Sequence, residues 1–170
     1  LGEAVAALGT AFSNEHAALC RKLASQVLLL FDHDEAGLRA TRKATEKLFS
    51  LGLRVRIAEL PKGEDPDSYF QKAGGSALRQ CINDALPAMD YFMKSLTALP
   101  LRTIDEKVSA VRGLESLFTV LSGLERDLYL NQVAGYLGLK IEQIMKVFAS
   151  HKRRISSEEA PKREPMSEVA

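Results

Sequence analysis

The stretch Val27-Leu28-Leu29-Leu30-Phe31-Asp32-His33-Asp34-Glu35-Ala36-Gly37 decides how this chain folds. Its first five residues are apolar without alternation, which is how a strand covered on both faces reads. Three acids follow within four positions: Asp32, Asp34 and Glu35. A buried strand that runs into carboxylates delivers negative charge to the carboxyl edge of a sheet, where open α/β folds hold their ligands. Extended backbone sends alternate side chains to one side, so Asp32 and Asp34 share a face and His33 points away. Paired carboxylates suit a hard divalent cation, Mg²⁺ or Mn²⁺, better than zinc. A second reading stands beside this one: Asp34 is a favoured N-cap for a helix that starts at Glu35.

Outward from that stretch, the periods alternate. Ala4-Val5-Ala6-Ala7-Leu8 reads as a short strand turning at Gly9-Thr10. Ser13 is placed to cap a helix running to about Ala24, with Glu15 in its first turn. From Glu35 to Leu51 the pattern is helical, with Leu38, Thr41, Thr45 and Leu48 on one face and Gly52 as the stop. Arg39, Arg42, Lys43 and Lys47 fall on the outer faces, where a solvated surface is expected ahead of phosphate contact. Leu53 to Ala58 alternates apolar with basic, a third strand near a sheet edge with Arg54 and Arg56 on its less covered side. Strand, helix, strand, helix, strand predicts a parallel sheet with right-handed crossovers.

The segment Pro61-Lys62-Gly63-Glu64-Asp65-Pro66-Asp67-Ser68 leaves that third strand at the same edge. Pro66 favours an extended Asp65 and suits the first turn of a helix. Asp65 and Asp67 are therefore a second alternating acidic pair, or a polar turn with a helix cap. Two acidic pairs gathered at one edge repel unless a cation or basic groups compensate them.

Beyond Gly74-Gly75 the chain reads as helical to about residue 150. Ala77, Leu78, Cys81 and Ile82 mark one helix; Met89, Phe92, Met93 and Leu96 a second. Val108, Val111, Leu114, Phe118 and Leu121 mark a third, Leu128, Val133, Ala134 and Leu137 a fourth, and Ile141, Ile144, Met145 and Phe148 a fifth. These apolar positions read as core rather than cofactor contacts. The division expected is thus an α/β unit over 1–74, a helical subdomain over 75–150, and a flexible tail over 151–170, where charges of both signs and few large apolar groups prevail. The 170 residues are 46% hydrophobic and 26% charged with net charge +1, ordinary globular figures that exclude an overall basic nucleic-acid glue. Two cysteines far apart, Cys20 and Cys81, fit neither a disulfide framework nor a zinc site. No apolar run is long enough to span a bilayer. A monomeric protein of the reducing cytoplasm is expected, and a chain beginning at Leu1 reads as a piece of something longer.

Three segments together carry a resemblance. Ala4 to Ala11, Phe31-Asp32-His33-Asp34-Glu35-Ala36-Gly37, and Leu60-Pro61-Lys62-Gly63-Glu64-Asp65-Pro66-Asp67 are similar, in order and spacing, to the second half of the TOPRIM domain of bacterial DNA primases. Ala85-Leu86-Pro87-Ala88-Met89-Asp90-Tyr91-Phe92 and the helices after it resemble the helical part of the same RNA polymerase core. The resemblance implies synthesis of short RNA primers from ribonucleoside triphosphates on single-stranded DNA, with Mg²⁺ or Mn²⁺. It implies that Asp32 and Asp34 hold the catalytic metal, and that Asp65 and Asp67 bind a second ion or shape the field. It implies zinc only in an amino-terminal module outside this segment, and contact with the replicative helicase through a further carboxy-terminal domain. The family's initial glutamate lies upstream of Leu1, so the segment alone is expected to be inactive. The family usually carries a small residue where His33 stands. Rival expectations are a topoisomerase, for which Tyr69, Tyr91, Tyr129 and Tyr136 are the available tyrosines, a nuclease, or a non-catalytic module that binds a replication partner.

Overall fold

The computed structural model describes residues 4–6 and 12–158, the last eight of these as backbone only. Residues 4–6 are not in a strand. The rest of the first expected strand, Ala7 and Leu8, and its Gly9-Thr10 turn lie outside the described residues. Helix α1 spans Asn14–Leu23 and is capped as its sequence dictates: Ser13 Oγ accepts from the His16 amide at 3.2 Å, and His16 Nδ1 accepts from the Ser13 amide at 3.1 Å.

Strand β1 (Gln26–Leu29) and strand β2 (Arg54–Ile57) pair in parallel, Val27 opposite Val55 and Leu29 opposite Ile57. Between them helix α2, Glu35–Ser50, makes the crossover. The strand expected at Leu53 to Ala58 is β2, and the strand on its other side is outside the expected pattern. Strand β3 is only Leu86–Pro87 and runs antiparallel to β2, so the sheet is mixed and β2 is its middle strand, not an edge. Pro87 lacks an amide hydrogen and ends the ladder there. Arg56 lies less on the solvent side than alternation implies. Its guanidinium donates to Ala85 O from Nε at 3.1 Å and to Asn83 O at 3.3 Å, fastening the chain that enters β3. Of β1, Leu29 is buried while Val27 and Leu28 are half-buried, because β2 is its one sheet partner among the described residues.

The buried face of α2 is Gly37, Thr41, Ala44, Thr45 and Leu48. Thr41 and Thr45 send their hydroxyls to the carbonyls of Gly37 and Thr41, each at 2.8 Å, which satisfies both inside the core. Leu38, expected on this face, is 41% exposed. The outer face is not uniformly solvated either. The Arg42 guanidinium donates to Gly113 O and lies 5.7 Å from the Phe92 ring centroid, and Lys47 donates to Phe12 O at 2.7 Å. Burial holds the Arg42 guanidinium below its ordinary pKa, against the opposing charge of Glu46.

Helix α3 spans Pro66–Asn83 but is broken at Gly74, whose φ of 79° is the left-handed turn that glycine permits. Helices α4 (Ala88–Thr97), α5 (Ile104–Val120), α6 (Gly123–Leu137) and α7 (Ile141–Glu158) follow. Met89, Phe92, Met93, Leu96, Val111, Leu114, Phe118, Val133, Ala134, Leu137 and Ile144 are all buried as their spacing predicts. Leu128 and Met145 are not: they stand 56% and 45% exposed. Helix α7 continues through Glu158, into the segment read as a tail. The core is one continuous cluster from Ala17 to Ile144, shared by sheet and helices. No helix among the described residues is long and apolar enough to cross a membrane.

Candidate functional site

The two acidic turns leave β1 and β2 at their shared carboxyl end. The ladder is prolonged past the strands by Ala58 N to Leu29 O at 3.0 Å. The turns are then tied backbone to backbone: His33 N donates to Glu64 O at 3.2 Å, and Gly63 N donates to His33 O at 3.3 Å. The turn that carries Asp32 and Asp34 is thereby tied to the Gly63-Glu64 turn that precedes Asp65, beyond the end of the regular ladder. One edge of one sheet holds both turns, as the alternation of strand and helix requires.

Asp34 and Asp65 each have a definable local role. Asp34 is the N-cap of α2, its Oδ1 accepting from Gly37 N at 2.7 Å. Asp65 is the N-cap of α3, its Oδ1 accepting from the amides of Asp67 and Ser68, both at 2.9 Å, with Pro66 at the first helical position. The Ser68 amide holds the Asp65 carboxyl below the usual aspartate range. The capping alternatives are therefore realised at Asp34 and Asp65. Both cap bonds fall on one oxygen of the carboxylate. Asp32, Asp34, Asp65 and Asp67 are all exposed. Among the described residues, no three of His, Cys, Asp and Glu stand close enough together to hold a metal ion by themselves. The donors on offer are carboxylate oxygens, the set that suits Mg²⁺ or Mn²⁺. Magnesium commonly takes one or two protein carboxylates and completes its shell with water and phosphate.

Several residues of this edge lie inside the quoted motifs but take no role of their own from the sequence. Gly37 is one: a Cβ there would sit 2.0 Å from Asp32 O, so the turn closes only because residue 37 has no side chain. Glu64 is another. Its carboxylate accepts from Lys72 Nζ at 2.6 Å and from Ser68 Oγ at 2.8 Å, bonds that lower its pKa. His33, expected to point away from the acids, has side-chain partners on the segment that leaves β2. Its Nδ1 bonds Leu60 O, and its Nε2 lies 3.9 Å from Glu59 Oε1. Glu59 in turn accepts from Lys94 Nζ at 2.5 Å. These partners are 26 or more positions away in sequence, out of reach of local pattern reading.

The tyrosines that a topoisomerase reading requires are otherwise engaged. Tyr91 is 5% exposed. Tyr129 donates to Asp90 at 2.8 Å, and its phenol is pushed up to about 12, chiefly by burial. Tyr136 donates to Thr97 O at 3.1 Å, and Tyr69 shares a hydrogen bond with Cys81 that raises its pKa.

Comparison with known proteins agrees with this arrangement. Residues 2–70 match the profile of a family described as Toprim-like, and residues 89–142 match one described as the DnaB-helicase binding domain of primase. The second match lies on α4 to α6, inside this segment, where the resemblance had placed helicase contact in a further domain. The chain is 32% identical over 148 residues to a DNA primase of Staphylococcus aureus, covering 85% of this chain and 24% of that protein. It superposes on the zinc-binding and RNA polymerase domains of the Aquifex aeolicus primase with a TM-score of 0.66 at 27% identity, over 83% of this chain and 34% of that one. It superposes on a DnaG primase catalytic domain bound to single-stranded DNA with a TM-score of 0.61 at 26% identity, over 80% and 45% of the two chains. The chain spans about a quarter of the length of the curated relatives it matches. With β1 and β2 in a Toprim-like region and α4 to α6 in a region matched to a primase domain, this chain belongs to the bacterial DNA primase family.

Proposed function

We propose that this segment supplies the metal-binding edge and the helical body of an RNA polymerase that makes short primers from ribonucleoside triphosphates on single-stranded DNA. The observation that carries the reading is the backbone tie between His33 and the Gly63-Glu64 turn, which keeps two acidic pairs at one sheet edge. Asp32 and Asp34 are the ligands of the catalytic ion. Asp65 and Asp67 bind a second ion or set the field around the first. A bound Mg²⁺ or Mn²⁺ supplies neutralisation of the triphosphate and Lewis acidity at the reacting phosphorus. The chain's own part is positional. Asp34 and Asp65 are held by the helix ends they cap, so each has an oriented carboxylate before any ion arrives. Exposure of all four acids leaves room for water and phosphate oxygens.

The reading takes further support from the relatives. One solved neighbour is described as bound to single-stranded DNA, which supports a template of that kind here. The family description matched at 89–142 supports contact of α4 to α6 with the replicative helicase. A cytoplasmic site of action as a monomer accords with the same reading. The segment spans about a quarter of its curated relatives and is expected not to make primers alone.

Titration of residues 1–170 with Mn²⁺ tests the core of the proposal. Asp32→Ala and Asp34→Ala should each weaken binding at least tenfold, and Asp65→Ala and Asp67→Ala should weaken it less. Unchanged affinity in the first two variants would remove the metal assignment. Primer synthesis on single-stranded template by residues 1–170 alone would overturn the expectation of inactivity.

A further inference from the structure

We infer that His33 is a positioning residue of the acidic edge: its imidazole clamps the Asp32–Asp34 turn onto the connection leaving β2, and Glu59 and Lys94 tether that clamp to α4. The inference deepens the proposed metal site and takes its functional meaning from it.

The backbone bonds of residue 33 to Gly63 and Glu64 are open to any amino acid. The side chain adds a bond that an alanine at this position cannot make. Its Nδ1 bonds the carbonyl of Leu60, a residue only 2% exposed, so the contact is anchored in the core. A carbonyl oxygen only accepts, so Nδ1 carries a hydrogen and the tautomer is fixed. The opposite nitrogen faces Glu59 Oε1 at 3.9 Å. The other oxygen of Glu59 accepts from Lys94 Nζ at 2.5 Å. Lys94 belongs to α4, whose Tyr91, Phe92 and Met93 are buried in the common core. A line of contacts therefore runs from the acidic turn through the end of β2 to the most deeply seated helix of the body. Residue 33 is the single link between Asp32 and Asp34, so holding its ring restricts the backbone from which both carboxylates project. A ligand pair held this way loses less freedom when an ion binds, which is the general benefit of a supported site.

Hydrogen exchange on the 1–170 chain tests the clamp without reference to any metal. His33→Ala keeps the backbone bonds and removes the ring. It should speed exchange of the Gly63 and Gly37 amides about fivefold, the effect of one lost hydrogen bond, and leave Leu117 and Val133 at the original rates. His33→Asn, whose side-chain amide can still donate to Leu60 O, should restore most of the protection, and Glu59→Gln should fall between. In the unsubstituted chain, ring nitrogen resonances should place the neutral-form proton on Nδ1. Unaltered exchange in both turns of His33→Ala, no rescue by asparagine, or a proton on Nε2 alone would each overturn the inference. Mn²⁺ affinity of the same variants separates this idea from the one beneath it. The clamp predicts about fivefold weaker binding in His33→Ala with recovery in His33→Asn. Loss of exchange protection beside Mn²⁺ binding indifferent to Asp32→Ala and Asp34→Ala would keep the clamp and refute the metal site.

Discussion

Helix α4 buries six of its residues, whereas α3, nearly twice as long and bearing Asp67, buries none. The contrast runs through the molecule. The body is held by apolar area: Leu48, Leu117 and Ile144 are wholly covered and belong to one cluster with the sheet. The acidic edge is held by single hydrogen bonds, Asp34 to Gly37, Asp65 to Ser68, His33 to Glu64, with Asp34 and Asp65 themselves exposed. Burial is cooperative and insensitive to pH, while caps and turn bonds are local and individually weak. The edge can therefore be altered without unfolding the body, and the reverse does not hold.

The largest test of that asymmetry is Leu48→Ala. Leu48 has no exposed surface and lies where α2 meets the common core. Its truncation should cost about 3 kcal/mol, and the whole chain should lose stability in a single transition seen by circular dichroism. Two separate transitions would break the picture of one shared core. Second is Gly37→Ala. The added methyl meets the Asp32 carbonyl at a distance that forces the backbone apart. A loss of at least about 2 kcal/mol is expected, with the damage concentrated at the edge. Mn²⁺ binding should fall further in Gly37→Ala than in Leu48→Ala at a temperature where both stay folded. Equal loss in the two variants would show that the edge is not separable from the core.

Third comes Arg42→Met, which sharpens the boundary between the halves. Arg42 joins α2 to α5 through Gly113 O and covers Phe92. Removing it loses that bond, though Gly113 O keeps its partner within α5, and should cost about 1 kcal/mol. Metal affinity should not change. A loss of Mn²⁺ binding with stability intact would assign Arg42 to the edge after all.

The features legible in the sequence share one property: their causes are local. Ser13, Asp34 and Asp65 are caps because of residues within three positions of them, and Pro66 starts α3 for reasons internal to its ring. The stripes of α4 and α5 follow from the 3.6 period alone. What escaped was set by distant chain. β2 became the middle strand because Leu86–Pro87 returns beside it after α3. Arg42 reads as an outer-face cation until α5, some seventy positions later, supplies Gly113. His33 reads locally only as the residue between two acids; what it contacts, Leu60 and Glu59, depends on the register of two strands. At the site, the acids and their shared edge were readable from strand order. Their capping duties were readable as alternatives, and only the tie at Gly63-Glu64 shows how the two turns meet.

The smallest expected effect distinguishes edge from body by charge. Asp65 has its pKa lowered, first by the Ser68 amide that its carboxylate accepts from. A carboxyl whose folded pKa lies below its unfolded value stabilises the fold above the unfolded value. That contribution fades as pH falls through the folded pKa. The window therefore opens near pH 4 and extends downward. Over that range the Ser68 amide should lose protection in the native chain, while Leu117 and Val133 in the body keep theirs until global unfolding. Asp65→Asn keeps a capping oxygen but has no proton to gain, so its Ser68 protection should be flat across the same range. Glu64, lowered chiefly by Lys72, adds a dependence of the same sign, and Lys72→Met should remove that part alone. If Asp65→Asn followed the native pH profile, the acid sensitivity would lie elsewhere, and the edge would be held by something other than its caps.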